Sequence, residues 1–244
     1  MEGFWLLCAF ATLIFSLTVK SIGAQVDQVT LKPTDDTYVD SGSPDSNYGG
    51  QKYLQIMDYN NQTNGNETDE SIVWLKFNLS SVPEGAVIDG ATLQLWASSV
   101  NGSLNVNAYL GTDLLNESAI ISWTELTMTY SNMPYYNTTS MDSVLVEASG
   151  QWYNWSVVYA VTNALNGNLK LVSIVMQEPN PSSSTTGVQF SSKEDTAYYS
   201  PTLTVHWSGV IPEFPTFIIL PLFMIATLLA VMVYRKRSAR ARQT

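Results

Sequence analysis

Four aspartates, Asp35, Asp36, Asp40 and Asp45, fall within an eleven-residue stretch that also holds the turn Gly42-Ser43-Pro44-Asp45. Hard oxygen donors crowded on a tight loop suit a calcium ion, and Asp36, Asp40 and Asp45 are the ligands this spacing nominates. The competing reading is turn chemistry, in which each carboxylate accepts a hydrogen bond from a nearby backbone amide. No EF-hand spacing is present to decide between the two. Glu194-Asp195 offers a second acidic pair from a distant part of the chain.

Aromatic side chains supply the other candidate chemistry. Trp74, Trp96 and Tyr109 each lie on the side of an alternating run opposite its apolar stripe, and Tyr135-Tyr136 sit in a polar loop. Flat rings with a polar tip stack on sugar rings, which makes these five candidate ligand contacts. Cover by a second sheet or a loop is the alternative, since large aromatics are usually mostly buried.

Other chemistries are excluded by composition. The only cysteine is Cys8 and the only histidine is His206. Beyond Cys8 the chain can therefore form no disulfide, and it has no two-histidine metal motif and no histidine-based triad. Two carboxylates can hydrolyse a glycosidic bond, but no motif marks a pair, so the expectation is a chain without catalytic residues. Residues 25–210 carry five lysines against nineteen acidic residues, a formal net charge of −14. Such a surface repels polyanions, and nucleic acid is dropped as a partner.

The elements that must position these groups read as strands. Val73, Leu75, Phe77 and Leu79 alternate with Trp74 and Lys76; Ala91, Leu93 and Leu95 with Thr92, Gln94 and Trp96; Leu203, Val205 and Trp207 with Thr204 and His206. A period of two, broken by turns at 41–45, 82–85, 101–102 and 179–184, predicts an all-β antiparallel sandwich. Leu75, Phe77, Leu93, Leu95, Leu203 and Val205 are its expected core. One short crossover helix interrupts the pattern, with Ser156 as cap, Val158, Val161 and Leu165 on its face and Gly167 as a left-handed stop. No repeat or internal linker divides residues 25–210, so they are expected to form one domain.

Both ends are apolar. Phe4–Val19 followed by Gly23-Ala24 reads as a signal peptide over 1–24 with cleavage after Ala24. Residues 217–234 run eighteen positions without a charge, about 27 Å as a helix and enough to cross a bilayer. The basic tail 235–244, with Arg235, Lys236, Arg237, Arg240 and Arg242, then places the C-terminus in the cytoplasm and residues 25–210 on the extracellular face. Residues 211–216 form a proline-rich juxtamembrane spacer. Seven glycosylation sequons occur, of which Asn61, Asn66, Asn101 and Asn137 lie in predicted loops.

Ordered blocks carry a family resemblance. They are Asp36–Gly49 (DTYVDSGSPDSNYG), Trp74–Ala86 (WLKFNLSSVPEGA), Ala91–Trp96, Trp123–Pro134, Trp155-Ser156-Val157, Phe190–Glu194 (FSSKE) and Pro201–Trp207. Together they resemble the DNRLRE domain, or disaggregatase-related repeat, a carbohydrate-binding module family. The resemblance implies a jelly-roll-like sandwich that binds polysaccharide or cell-envelope glycan. That family usually has arginine where Lys76 and Lys193 stand, so direct ion pairing with an acidic polysaccharide is not expected and a neutral or cation-bridged glycan fits better. Ile211-Pro212-Glu213-Phe214-Pro215-Thr216, the apolar run and the basic tail resemble archaeal PEF-type sorting signals, which implies a sortase-like processing partner. The expected function is a surface-tethered, non-catalytic glycan-binding module. A structural or adhesive envelope protein and a polysaccharide-processing enzyme are the alternatives.

Overall fold

The computed structural model describes residues 27–208, apart from 62–66, 113–121, 168, 180–185 and 197–198, together with 216–241. The expected signal peptide 1–24 lies outside the described residues, as do 211–215 of the spacer and 242–244 of the tail.

Residues 27–208 form strands joined by antiparallel ladders. In chain order these are β1 (Asp27–Leu31), β2 (Pro33–Asp40), β3 (Tyr53–Asn61), β4 (Glu67–Asn78), β5 (Val87–Asn101) and β6 (Leu104–Thr112). Then come β7 (Tyr135–Tyr136), β8 (Asp142–Val146), β9 (Gln151–Ser156), helix α1 (Val158–Asn166), β10 (Leu171–Gln177), β11 (Thr186–Ser191) and β12 (Thr202–Ser208). The long strand β5 is the spine of one sheet. Along one edge it pairs with β12 and then β11, and along the other with β9. Strand β1 lies outside β12, and β3 outside β11. The second sheet runs β2-β4-β10-β6-β8. Strand β4 belongs to both: Glu67–Glu70 pairs with β3, whereas Ser71–Phe77 pairs with β2. A strand that switches sheets makes the corner that holds the two layers in register.

Alternation sets the core between the sheets. Leu75, Phe77, Leu93, Leu95, Leu203 and Val205 are all fully buried in one cluster, as the period of two requires. Trp155 and Phe190 lie in the same cluster and meet edge to face at 5.8 Å. Helix α1 crosses from β9 to β10 and buries Ala160, Val161 and Ala164 against the same core. Its ends differ from expectation. Val157 is the cap residue, with no side-chain hydrogen bond, because Ser156 is still paired to Thr92 in β9. Gly167 closes the helix at φ −77°, not in the left-handed region, and its N–H donates to the Asn163 carbonyl.

The C-terminal unit contains helix α2 (Thr216–Ala241), which includes the expected span 217–234. Phe223, Ile225, Leu228 and Leu229 are exposed on it. Among the described residues no helix is long and apolar enough to cross a membrane, so the structure does not confirm the transmembrane expectation.

Candidate functional site

The outer side of the β2-β4-β10-β6-β8 sheet is covered. Val39, Ile72, Trp74, Tyr109 and Val175 point away from the main core, and residues 123–136 lie over them, forming a second buried cluster with Trp123 and Met128. Trp74 meets Trp123 at 6.0 Å and Tyr136 at 6.2 Å, both edge-on, the geometry that the ring quadrupoles favour. Polar side chains tie the cover down. Lys76 is buried, pairs with Asp35 at 3.1 Å, donates to the Trp123 carbonyl and lies 4.5 Å from the Trp123 ring centroid. Trp123 Nε1–H donates to Ser173 Oγ at 2.9 Å. Glu70 accepts from Tyr130 Oη at 3.0 Å and from Gln177 Nε2, and Gln177 Oε1 accepts from Tyr136 Oη at 2.6 Å. Burial, and then the Glu70 charge, push the Tyr130 and Tyr136 hydroxyls up to about 12. Trp74 is 0% exposed and Tyr109 6%, so neither can offer a ring face to a sugar. Trp74 and Tyr109, two of the expected ligand contacts, pack under the loop instead, and Tyr136, half-buried in the loop itself, turns its ring onto both. Tyr135 is exposed at its rim.

The outer side of the β5 sheet is open. Trp96 pairs across the ladder with Trp152 and meets its ring edge-on at 5.5 Å. Tyr199 stacks on Trp96 at 4.3 Å with the planes 14° apart. Trp152 is 39% exposed and Tyr199 36%, so the trio presents ring surface to solvent. The residues beside it are hydroxyls and amides. Gln94 Nε2 donates to Asn154 Oδ1 at 2.9 Å, and Thr202 Oγ1 donates to Gln94 Oε1 at 3.4 Å. Toward the other end of β5 an open groove is lined by Gln55, Met57, Ser99, Asn101 and Gln189, with Gly187 in its floor. None of these side chains is charged; beside Tyr199, the Lys32 ammonium donates to the Ser200 carbonyl at 3.4 Å. Stacking area beside neutral donors and acceptors is the chemistry of sugar hydroxyl recognition.

Three carboxylates form a separate cluster. Alternation places Asp36 on the same side of β2 as Tyr38, which lies in the main core. There Glu125 from the covering loop and Glu194 from the segment after β11 join it, each giving one oxygen within 4.8 Å of the others. Lys193 bridges them: its N–H donates to Asp36 Oδ2 at 2.8 Å, and its ammonium pairs with Glu125 at 2.8 Å and with Glu194. Burial pushes the Asp36 carboxyl up to about 8, against the hydrogen bond from Lys193, with the Glu194 charge adding to the rise. Asp36 Oδ1 and Glu194 Oε2 are buried without a hydrogen-bond partner.

Asp40 and Asp45 take no part. Asp40 Oδ1 accepts from the Gly42 N–H at 2.8 Å and Oδ2 accepts from Ser71 Oγ, while Asp45 Oδ1 accepts from Ser131 Oγ at 2.8 Å. The Asp36, Asp40, Asp45 ligand set is therefore not assembled; two of the three are turn residues. Lys76 and Lys193, the arginine positions of the resemblance, both face internal carboxylates and not the open face. Of the sequons, Asn101 is exposed at the end of β5 and Asn137 accepts from the Thr139 N–H at 3.0 Å. Asn66 and the Asn61 side chain lie outside the described residues.

Trp152 and Tyr199 escaped the sequence reading. The run Trp152-Tyr153-Asn154-Trp155 alternates like the other strands and would have placed Trp152 outward beside Asn154. Tyr199 reaches Trp96 from an irregular segment that carries no periodic signal. Comparison with known proteins reaches the same class of chemistry as the open face. No curated protein matches the chain. The model of carbohydrate-binding module family 96 matches residues 27–206. That match runs from the first strand to the last, and the chain belongs to carbohydrate-binding module family 96.

Proposed function

We propose that this chain is a cell-surface-tethered, non-catalytic module that binds a neutral polysaccharide or envelope glycan on the open side of the β5 sheet. The observation that carries the reading is the exposed trio of Trp96, Trp152 and Tyr199, set among uncharged amides and hydroxyls. A sugar ring has an apolar face of C–H groups and a rim of hydroxyls, and this surface offers a partner to each. One ammonium comes near, that of Lys32, which donates to the carbonyl of Ser200 next to Tyr199 at 3.4 Å; a single lysine at the edge offers a polyuronate one counter-charge and not a basic stripe.

Tethering rests on the sequence of residues 217–244, an uncharged apolar run followed by basic residues, which would hold the sandwich outside the membrane. In α2 the one hydroxyl in the middle of the run, Thr227 Oγ1, donates to the carbonyl of Phe223 or Met224, which suits a helix in an apolar surrounding. The Pro-Glu-Phe segment fits later processing by a sortase-like membrane enzyme. Protease treatment of intact cells checks the topology: residues 25–210 should be digested and the basic tail spared, and the reverse would overturn it.

Binding is tested by affinity electrophoresis of the full chain in detergent through gels containing neutral glucan, mannan or galactan, or a polyuronate. At least one neutral polymer should retard the wild type and not Trp152→Ala. Retardation by the polyuronate alone, unaffected by Trp152→Ala, would overturn the neutral-glycan reading and this face together.

A further inference from the structure

The cluster of Asp36, Glu125 and Glu194 brings three carboxyl groups together with one ammonium, that of Lys193. Hydrogen bonds account for most of their oxygens. Asp36 Oδ2 accepts from the Lys193 backbone, Glu125 Oε1 from the Lys193 ammonium, Glu125 Oε2 from the Asp36 N–H at 3.1 Å, and Glu194 Oε1 from the Lys193 ammonium. Two oxygens are left over, Asp36 Oδ1 and Glu194 Oε2, both buried and both without a donor. Asp36 is only 1% exposed, so bulk water does not solvate it. A buried carboxylate oxygen with no donor is costly, and this pair is satisfied either by a proton held between the Asp36 and Glu194 carboxyls or by a shared cation.

We propose that Asp36, Glu125 and Glu194 bind one calcium ion, with water completing its shell. All three donors are hard oxygens, which excludes soft metals and favours calcium or magnesium. Three oxygens no more than 4.8 Å apart can share an ion at the calcium–oxygen distance of about 2.4 Å, whose diameter spans that separation. One cation would satisfy both orphaned oxygens at once.

The site also has a mechanical consequence. Its ligands come from β2, from the covering loop and from the segment after β11, three places far apart in the chain. Glu125 is already held from behind, since Asn47 Nδ2 donates to its carbonyl, and a Cβ on Gly49 would stand 2.2 Å from that same oxygen. The ion would thus lock the loop carrying Trp123 and Met128 over the second buried cluster. This inference is independent of the glycan face, which lies on the other sheet.

The test uses the full chain in detergent, stripped with chelator and titrated with calcium by calorimetry. Thermal unfolding is then followed by tryptophan fluorescence in calcium, magnesium or sodium chloride at matched ionic strength. One calcium equivalent should bind, and calcium should raise the Tm by several degrees beyond sodium. Glu194→Gln, chosen because Glu194 is the more exposed of the two residues with an orphaned oxygen, should weaken calcium binding by at least about tenfold and abolish the Tm shift. Glu147→Gln, at an exposed acid away from the cluster, should leave both unchanged. Absence of calcium heat at millimolar ion, equal Tm in all three salts, or wild-type affinity in Glu194→Gln would each overturn the proposal. Should Glu194→Gln fail to fold, the titration and salt series on the wild type decide it.

Discussion

Both sheets carry tryptophan and tyrosine on the side facing away from the core, yet one side is a second core and the other a platform. Trp74 and Trp96 hold equivalent positions: each lies on a central strand and alternates with buried leucines. What separates them is the chain that passes above. Residues 123–136 close over Trp74, fastened by Lys76, Glu70 and Gln177, whereas Trp96 meets the rings of Trp152 and Tyr199, which are themselves partly exposed. An outward aromatic on a strand is therefore not evidence of a binding face until its cover is known. The loop, and not the strand, makes the difference.

The contrast is sharpest in stability. Trp74→Ala should cost about 3–5 kcal/mol, the range for removing a fully buried aromatic, and should loosen the loop over the sheet. Phe77→Ala, in the main core, should cost a similar amount. Trp152→Ala should cost only about 1 kcal/mol, because over a third of its surface is already in water. Denaturant unfolding of the three variants checks the ranking. A Trp152 cost equal to that of Trp74 would mean that the open face is packed against something.

The fastening comes next in size. Lys76→Met keeps the aliphatic stem but removes the ammonium that joins Asp35, the Trp123 carbonyl and the Trp123 ring. It should cost about 2 kcal/mol, less than a fully buried pair because Asp35 is partly exposed, and shift Trp123 fluorescence to the red. A variant as stable as the wild type would show that the cover holds by apolar packing alone.

The same fastening gives the loop an alkaline limit. Tyr130 and Tyr136 are raised to about 12, above the ordinary tyrosine value of about 10. The folded state holds these protons more tightly than the unfolded one. Their stabilising contribution is thus complete below about pH 10 and is lost as pH climbs through 12. Tyrosinate absorbance of these two should therefore rise together with exposure of Trp123. Ionisation near 10 with the loop still closed would contradict the buried network.

The smallest effect belongs to Gly187. An alanine Cβ there would lie 3.3 Å from the Ile56 carbonyl and 3.4 Å from Met57 Cγ, in the floor of the groove. Gly187→Ala should change stability by less than about 1 kcal/mol and lower glycan affinity only if the ligand extends from the trio into the groove. Unchanged affinity would confine the binding face to the aromatic end.

These differences follow the limits of what the sequence makes legible. Periodicity names core residues such as Phe77 and Leu203 without error, because inward and outward are local facts about a strand. Asp36 and Glu194 were each legible as acidic candidates, but the companions of Asp36 were sought nearby at Asp40 and Asp45. They come instead from Glu125 and Glu194, which only the tertiary fold brings together. Trp96 was legible as outward and Trp152 could have been. Tyr199 was not, since its stacking depends on an irregular segment returning across the sheet. The cover over Trp74 was invisible for the same reason: nothing local says where residues 123–136 will lie.

We propose that glycan is held on the open face and not under the covered one. It is tested most directly by measuring the affinity of the full chain, Trp152→Ala and Tyr199→Phe for the neutral polysaccharide that the wild type retains best. Trp152→Ala should lose at least about tenfold in affinity while unfolding near the wild-type midpoint, since removal of one stacking ring is worth about 1.4 kcal/mol or more. Tyr199→Phe keeps the ring and should bind almost as well. Full affinity in Trp152→Ala, with the polysaccharide still bound, would contradict the assignment and move the site off this sheet.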